Sequence, residues 1–519
     1  MWKKLGQSLA VDKLFSICHP HTTSDTIYAL STAKGRAGIA VVRISGPGAL
    51  DVYRCLCPGK SLPKPRYATV RSLQHPKLVG HHDILDSEAL VLHFPSPKTV
   101  TGEDVLELHI HGGGATVKAV LAAIPQVTSS TGRIRYAEPG EFTRRAFLNG
   151  RLDLAQVEAL SNALAAETEQ QRKAAVRGQS GVLGKKYEDW RMQLLHARAE
   201  IEALIDFSED QHFDESPADL LSNVVSLVED IVARIRVHEA AGARTELLRS
   251  GIRIALIGPP NSGKSSLMNL IVGREASIVS HEAGTTRDIV EASLDIRGYL
   301  CSFADTAGFR DGKEGGIVGA VEKEGIRRAR QRALESDVVI VLAPIELNPD
   351  GEPSVKLDPD TLSIATKASK VMVVVNKTDL VPRDHGIALL KKVRAQTSII
   401  LGLESIPIYG LSCLKASCSD GQRGGLPSIV DGLIHFFSKM TELPVDIQDL
   451  YGVTARQTEL LADCRSHLEM VLDESAHEDD PDIVLVAENL RVSAQLLAKL
   501  TGRGESSDIE EVLGVIFEK

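Results

Sequence analysis

The chain has little of what would place it in a specialised class. Seven cysteines (Cys18, Cys55, Cys57, Cys301, Cys413, Cys418 and Cys464) are scattered over 519 residues without a CxxC pair. That excludes a disulfide framework and a paired-cysteine zinc site, and it suits a reducing compartment. No apolar run approaches the ~20 residues that a bilayer span needs, so no membrane contact is expected. Positive charge is not in excess: 59 Lys and Arg stand against 69 Asp and Glu, a net charge of -10. Any contact with RNA therefore has to use local patches rather than a generally basic surface. No G-x-S-x-G elbow occurs, so "HGGG" from His111 to Gly114 is not the oxyanion loop of a hydrolase. The pair His109 and His111 has no third metal ligand nearby and reads as strand and turn residues. What remains, 43% hydrophobic and 25% charged residues, is the composition of an ordinary globular chain, with length for about three or four domains.

The first 24 residues carry three lysines and one acid and join no later periodic pattern. They read as an organellar presequence without arginine, or as a tail outside the fold. From 25 to 145, short alternating runs such as "IAVVRIS", "EALVLHF" and "VLELHIH" predict an α+β domain. Residues 146–249 turn to helical spacing, without proline from Leu152 to about Phe207 through "LDLAQVEALSNALAAETEQQRKAAV" and "YEDWRMQLLHARAEIEALIDF", and a third helical stretch runs over about 217–249. Residues 250–440 alternate strand and helix in the rhythm of a doubly wound, mostly parallel sheet, and 441–519 return to helix. The economical arrangement is a discontinuous helical domain, 146–249 with 441–519, into which an α/β P-loop domain is inserted.

"GPPNSGKS", Gly258 to Ser265, lies between an apolar strand and a helix and fits the phosphate-binding loop. Glycines allow the backbone amides of Asn261, Ser262, Gly263, Lys264, Ser265 and Ser266 to curl round phosphates at a helix N-terminus. Lys264 is expected to reach the β- and γ-phosphates, and Ser265, with Thr286 of "GTTRD", to ligate Mg²⁺. Asp305 ends the next strand, and Gly308 can give its amide to the γ-phosphate. In "NKTD", Asn376, Lys377 and Asp379 follow another strand, and the Asp379 carboxylate accepts from two guanine donors that adenine lacks. Ser412 belongs to the loop closing over the base. Five elements in this order specify a guanine-nucleotide domain.

One element is unusual. Where Ras-like GTPases place a water-orienting glutamine, "DTAGFR" has Phe309, whose ring cannot hold water. Asn261, three residues before Lys264, can instead bind a monovalent cation beside the phosphates, with the segment containing Ser280, Glu282 and Thr285 wrapping it. Such a cation offsets charge where an arginine finger otherwise acts. "GAVEKEGIRRA" supplies acidic candidates for the water, with Glu322 and Glu324 both open on the residues alone.

"GPPNSGKSSLMNLI", "GREASIVSHEAGTTRD", "DTAGFR" with "VEKEGIRRA", and "NKTD" closely resemble the MnmE/TrmE family of tRNA-modification GTPases, found in bacteria and mitochondria. The likeness extends to "GRAGIAVVRISG", "TGEDVLELHIHGG", "PGEFTRRAFLNGRLDLAQVEAL" and "AENLRVSAQLLAKLTG", and so covers nearly everything after Asp25. It implies a potassium-activated GTPase with Glu322 orienting the water. It also implies a homodimer that works with a flavin-dependent MnmG/GidA-type subunit on carbon 5 of the wobble uridine of tRNA. By resemblance the N-terminal domain binds 5-formyl- or 5,10-methylene-tetrahydrofolate through Arg43, Glu107 and Arg151, and it makes the dimer. A mitochondrial location is implied, or the cytoplasm if the source is bacterial. The family's short cysteine-containing tail is absent after "GVIFEK". The alternative function is a ribosome-assembly GTPase of the Era or Der kind, which shares the Phe309-type replacement. That class carries a KH-like domain after the G domain, where only helical patterns follow Pro444 here.

Overall fold

The computed structural model describes residues 25–76, 83–206, 217–279, 293–304, 331, 334–357, 359–366, 368, 370–401, 406–417, 424–476 and 481–502. Among them the chain forms two units. One draws on 1–158, 184–191 and 495–519, the other on 159–183 and 192–494.

In the first unit the alternating runs become strands β1 (Thr26–Leu30), β2 (Ile39–Ser45), β3 (Thr69–Gln74), β4 (Ile84–Phe94), β5 (Val105–His111) and β6 (Ile134–Tyr136). They lie in the order β3-β4-β5-β2-β1-β6. Every neighbouring pair is antiparallel except β1 and β6. Period-2 alternation decides the two faces. Ala40, Val42 and Ile44 of β2 with Leu106, Leu108 and Ile110 of β5 are no more than 5% exposed. They form one core with residues of the helices Ala49–Leu56 and Gly114–Ala123. Each fully buried Leu or Ile there contributes about 1.5–3 kcal/mol relative to an exposed one. The intervening residues, including Arg43, Glu107 and His109, are left on the opposite face.

The second unit holds β7 (Ile252–Ile257), β8 (Ala276–Ile278), β9 (Ser293–Ile296), β10 (Tyr299–Ala304), β11 (Val338–Leu347), β12 (Pro353–Val355), β13 (Val371–Asn376) and β14 (Ile408–Gly410). The order is β14-β13-β11-β7-β10-β9-β8, with β12 beside β11. From β14 to β10 all pairs are parallel, and β9 and β8 add an antiparallel edge. Central parallel strands are covered on both sides, which is why "VVIVLA" and "VMVVV" are continuously apolar. Ile254, Leu256, Ile340, Leu342 and Val374 enter one core, while Ala255, Ile257, Val339, Val341 and Val373 enter the other. The helix Leu426–Thr441 closes the first of these, with the Phe437 ring 5.5 Å from that of Tyr299.

The unbroken helical pattern expected after Leu152 divides into Leu154–Ala165, Glu169–Gly178 and Val182–Asp206. The first break has a local cause. Thr168 caps the second helix, its hydroxyl taking the Gln171 amide while the Gln171 side chain returns to the Thr168 backbone. That reciprocal box favours a helix start over helix continuation. Gly178 then lets the chain pass against Gly452, where a Cβ would lie 2.9 Å from the Gly452 Cα. The stretch from Pro217 forms one helix, Pro217–Ser250, packed along Ala455–Ser475. Gly251, at φ 87°, turns it directly into β7. The last helix described is Ile483–Thr501, and the expected helix around 508–517 lies outside the described residues.

Phe437 is fully buried, so Phe437→Ala removes a large side chain from a close-packed core. A loss of about 3–5 kcal/mol is expected in urea unfolding monitored by circular dichroism. A loss under ~1 kcal/mol would mean that the core collapses around the cavity.

Candidate functional site

The loop from Gly258 to Gly263 joins β7 to the helix Lys264–Arg274. Its path depends on positions with little room. Gly263 stands at φ 101°, left-handed, and a Cβ there would run into the Asn376 amide. At Gly258 a Cβ would strike the Leu342 carbonyl of β11. Asn261 also takes a left-handed conformation, φ 59°, which asparagine tolerates better than most residues. Lys264 Nζ donates to the Gly258 and Pro259 carbonyls, both at 2.9 Å, tying the ammonium to its own loop. Burial pushes the Lys264 pKa below its usual value. A polyanionic ligand would favour the charged form and oppose that shift. Among the described residues the buried Ser262 hydroxyl has no hydrogen-bond partner, an acceptor and donor enclosed by the loop.

Three segments meet at Asn376, which is 2% exposed. Its Nδ2 donates to the Ser262 carbonyl at 2.8 Å, and its Oδ1 accepts from the Cys413 amide at 3.4 Å. Ser412 Oγ donates to Asp379 Oδ1 at 2.6 Å and accepts from the Lys415 amide at 3.1 Å. The free oxygen of Asp379 is thereby oriented by a fixed neighbour. Lys377, at φ 64°, makes the turn that separates Asn376 from Asp379. The structure therefore brings Ser262, Gly263, Lys264, Asn376, Lys377, Asp379 and Ser412 to the ends of β7, β13 and β14. Asn261, Ser265 and Ser266 are exposed on the same loop and first helical turn. Ser280, Glu282, Thr285, Thr286, Asp305, Gly308, Phe309, Glu322 and Glu324 lie outside the described residues. Cys413 was missed by sequence reasoning; its place after Ser412 was the only available signal.

The second cluster lies on the outer sheet face of the first unit. Arg43 and Glu107 are direct cross-strand partners, and Arg43 Nε donates to Glu107 Oε1 at 2.9 Å. His109, two residues on and so on the same face, has Nε2 3.3 Å from Glu107 Oε2. The Arg43 guanidinium lies 6.0 Å from the centre of the Phe142 ring. Arg151 has another anchor, its Nε donating to the Thr99 carbonyl at 2.9 Å.

A buried ionic network holds the helix that supplies Phe142, Glu141–Leu148. Arg145, 3% exposed, donates to both Glu103 oxygens, to Glu141 and to the Asp25 carbonyl. Arg135 adds two bonds to Glu141, at 2.8 and 2.6 Å. Burial alone would raise the Glu141 pKa, but the Arg135 bonds, the Glu138 amide and Arg145 outweigh it and hold it below the usual value. Among the described residues no group of three or more His, Cys, Asp or Glu is placed to hold a metal ion.

Known proteins resemble the chain over its length. A family model described as "GTP-binding protein TrmE N-terminus" matches residues 26–151, and one described as "MnmE helical domain" matches 154–519. The tRNA modification GTPase MnmE of Parvibaculum lavamentivorans is 41% identical, covering 95% of this chain and 98% of that protein. The mitochondrial 5-taurinomethyluridine-[tRNA] synthase subunit GTPB3 of Danio rerio is 38% identical over 99% and 95%. The mitochondrial tRNA modification GTPase mss1 of Schizosaccharomyces pombe is 37% identical over 95% and 94%.

Asn376→Ala leaves the Ser262 carbonyl and the Cys413 amide without this partner in a buried place. Guanine nucleotide affinity is expected to fall roughly 10- to 100-fold, matching the 1–3 kcal/mol of an unsatisfied buried group. Titration with a fluorescent GDP analogue measures it. Unchanged affinity would show that the loop does not depend on the bridge.

Proposed function

Because this chain belongs to the MnmE/TrmE family of tRNA-modification GTPases, we propose that it hydrolyses GTP to drive, with a flavin-dependent MnmG/GidA-type subunit, a change at carbon 5 of the wobble uridine. It is a GTP hydrolase of tRNA modification. The observation that carries the rest is a likeness covering 95% or more of the chain in all three relatives. Among the described residues no helix is long and apolar enough to cross a membrane. Mitochondrial relatives support a mitochondrial location.

In this reading residues 25–145 are the tetrahydrofolate-binding and dimerising domain. Residues 146–249 and 441–519 are the helical domain, and 250–440 the G domain. Asp379, steadied by Ser412, reads guanine. The amides from Asn261 to Ser266 and the Lys264 ammonium hold the phosphates, with Thr285, Thr286, Asp305 and Gly308 completing the nucleotide contacts. Ser265 and Thr286 would hold Mg²⁺; Asn261, Ser280, Glu282 and Thr285 would hold K⁺. The exposed side-chain oxygens of Asn261 and Ser265 fit hard cations. Bound there, the cations offset charge that develops between the β- and γ-phosphates.

Glu322 aligns the water that attacks the γ-phosphorus, a task Phe309 cannot perform. The bond to GDP breaks as the bond to water oxygen forms, and alignment with charge offset supplies the rate. The outer-face cluster suits a tetrahydrofolate one-carbon donor in the 5-formyl or 5,10-methylene form. Glu107 is an acceptor for the pterin's donor edge, while Arg43 and Arg151 are donors for ring acceptors or a carboxylate tail.

If Asn261 holds the cation, GTP hydrolysis should rise steeply when potassium replaces sodium, and Asn261→Ala should flatten the response. Equal rates in the two salts would remove the cation from the mechanism. Glu322→Ala should slow single-turnover hydrolysis by roughly 10²–10⁴ with nucleotide affinity unchanged. In a deletion strain it should fail to restore the modified wobble uridine seen by mass analysis of tRNA nucleosides, whereas Glu324→Ala restores it. The reverse result would move the role to Glu324, and unmodified behaviour of the deletion strain would end the tRNA reading.

A further inference from the structure

Glu107 is held from two sides by donors on the same sheet face. Arg43, directly opposite on β2, occupies Oε1 at 2.9 Å. His109, next along the same face of β5, lies against Oε2 at 3.3 Å. An ionised carboxylate only accepts, so this second contact requires the proton on the imidazole Nε2. All three side chains are partly accessible, with 29% of Arg43, 17% of Glu107 and 27% of His109 exposed. A carboxylate offers about four lone-pair sites. With one donor on each oxygen from within the sheet, Glu107 keeps capacity on each oxygen for ligand donors arriving from the open face. Neither contact alone would fix the carboxylate's rotation, because a single bond leaves its terminal torsion broad. Two bonds on opposite oxygens define its plane.

We infer that His109 is a positioning residue of the outer-face cluster, setting the plane in which Glu107 meets the paired N–H donors of a reduced pterin. This rests on the folate reading of Arg43 and Glu107 given above. The role requires a donor four bonds from Cα, not an imidazole as such. Glutamine supplies that donor with the same number of bonds, and leucine fills a similar volume without it. His109 is half-buried and belongs to no apolar core, so neither change disturbs the packing beneath the sheet.

Calorimetric titration of the full chain with 5-formyl-tetrahydrofolate tests this, with H109L, H109Q and E107Q compared and GDP affinity measured as a control. H109L should weaken folate binding roughly 3- to 10-fold, the range of one typical net hydrogen bond, because the ligand loses orientation and not a direct contact. H109Q should stay within about twofold of wild type, E107Q should lose binding, and GDP affinity should not move. Full binding by H109L beside a loss in E107Q overturns the role of His109 and leaves the folate reading standing. Equal weakening in H109L and H109Q overturns it too, since the imidazole would then be touching the ligand. Undiminished binding by E107Q removes the folate reading of Glu107, and the inference goes with it.

Discussion

A single buried amide joins the parts of the nucleotide site. Asn376 ends β13, and both ends of its side chain bond to backbone on other segments, the Ser262 carbonyl on one side and the Cys413 amide on the other. Asparagine suits this place because its amide both donates and accepts over a short reach. Aspartate could not donate to a carbonyl, and glutamine would push one partner away. Gly263 is required by the same contact, since any Cβ there would occupy the space of the amide. The parallel sheet brings these loops to one edge; Asn376 sets their spacing. The two loops that the proposed function assigns to phosphate and to base are consequently linked mechanically.

The first unit meets a different constraint. Its sheet has helices on one face, so every second residue of β2 and β5 is surplus to that core. Those residues can carry polar groups without weakening the packing, and Arg43, Glu107 and His109 do so. The helix Glu141–Leu148 has few large apolar residues to hold it, and charge takes over that work. Arg145 and Arg135 bind three acids and the first described carbonyl of the chain. Buried ionic clusters add little net stability, but the directional bonds of this one tie the helix to fixed backbone and side-chain acceptors. It thereby fixes where Phe142 and the chain leading to Arg151 go.

The parallel strands were legible because burial on both faces leaves continuous apolar runs, and the P-loop and "NKTD" were legible because phosphate and guanine each demand particular residues in a particular order. The outer-face strands were legible from alternation. Their order was not, since β6 returns parallel to β1 through pairings that no local pattern encodes. The break before Thr168 was written in the Thr-x-x-Gln spacing yet lay inside an otherwise unbroken apolar period, which masked it. The pair His109 and His111 reads from the sequence as strand and turn residues, and both lie in β5, His111 as its last residue. The contact of His109 with Glu107 follows from the strand once i and i+2 are placed on one face. The environment of Ser262 could not be read at all, because a buried hydroxyl without a partner is a property of the loop's path and not of its composition.

The helix Pro217–Ser250 is roughly 50 Å long at 1.5 Å per residue, and only Gly251 separates it from the strand that carries the phosphate-binding loop. Paired along its flank with Ala455–Ser475, it is a stiff rod and not a tether. Leverage follows. A rotation of roughly 5° about Gly251 would sweep the far end through about 4 Å, given a rod of this length. A small adjustment of the strand, if carried through Gly251, would thus be enlarged into a displacement the size of a side chain, since the helix runs unbroken along its length.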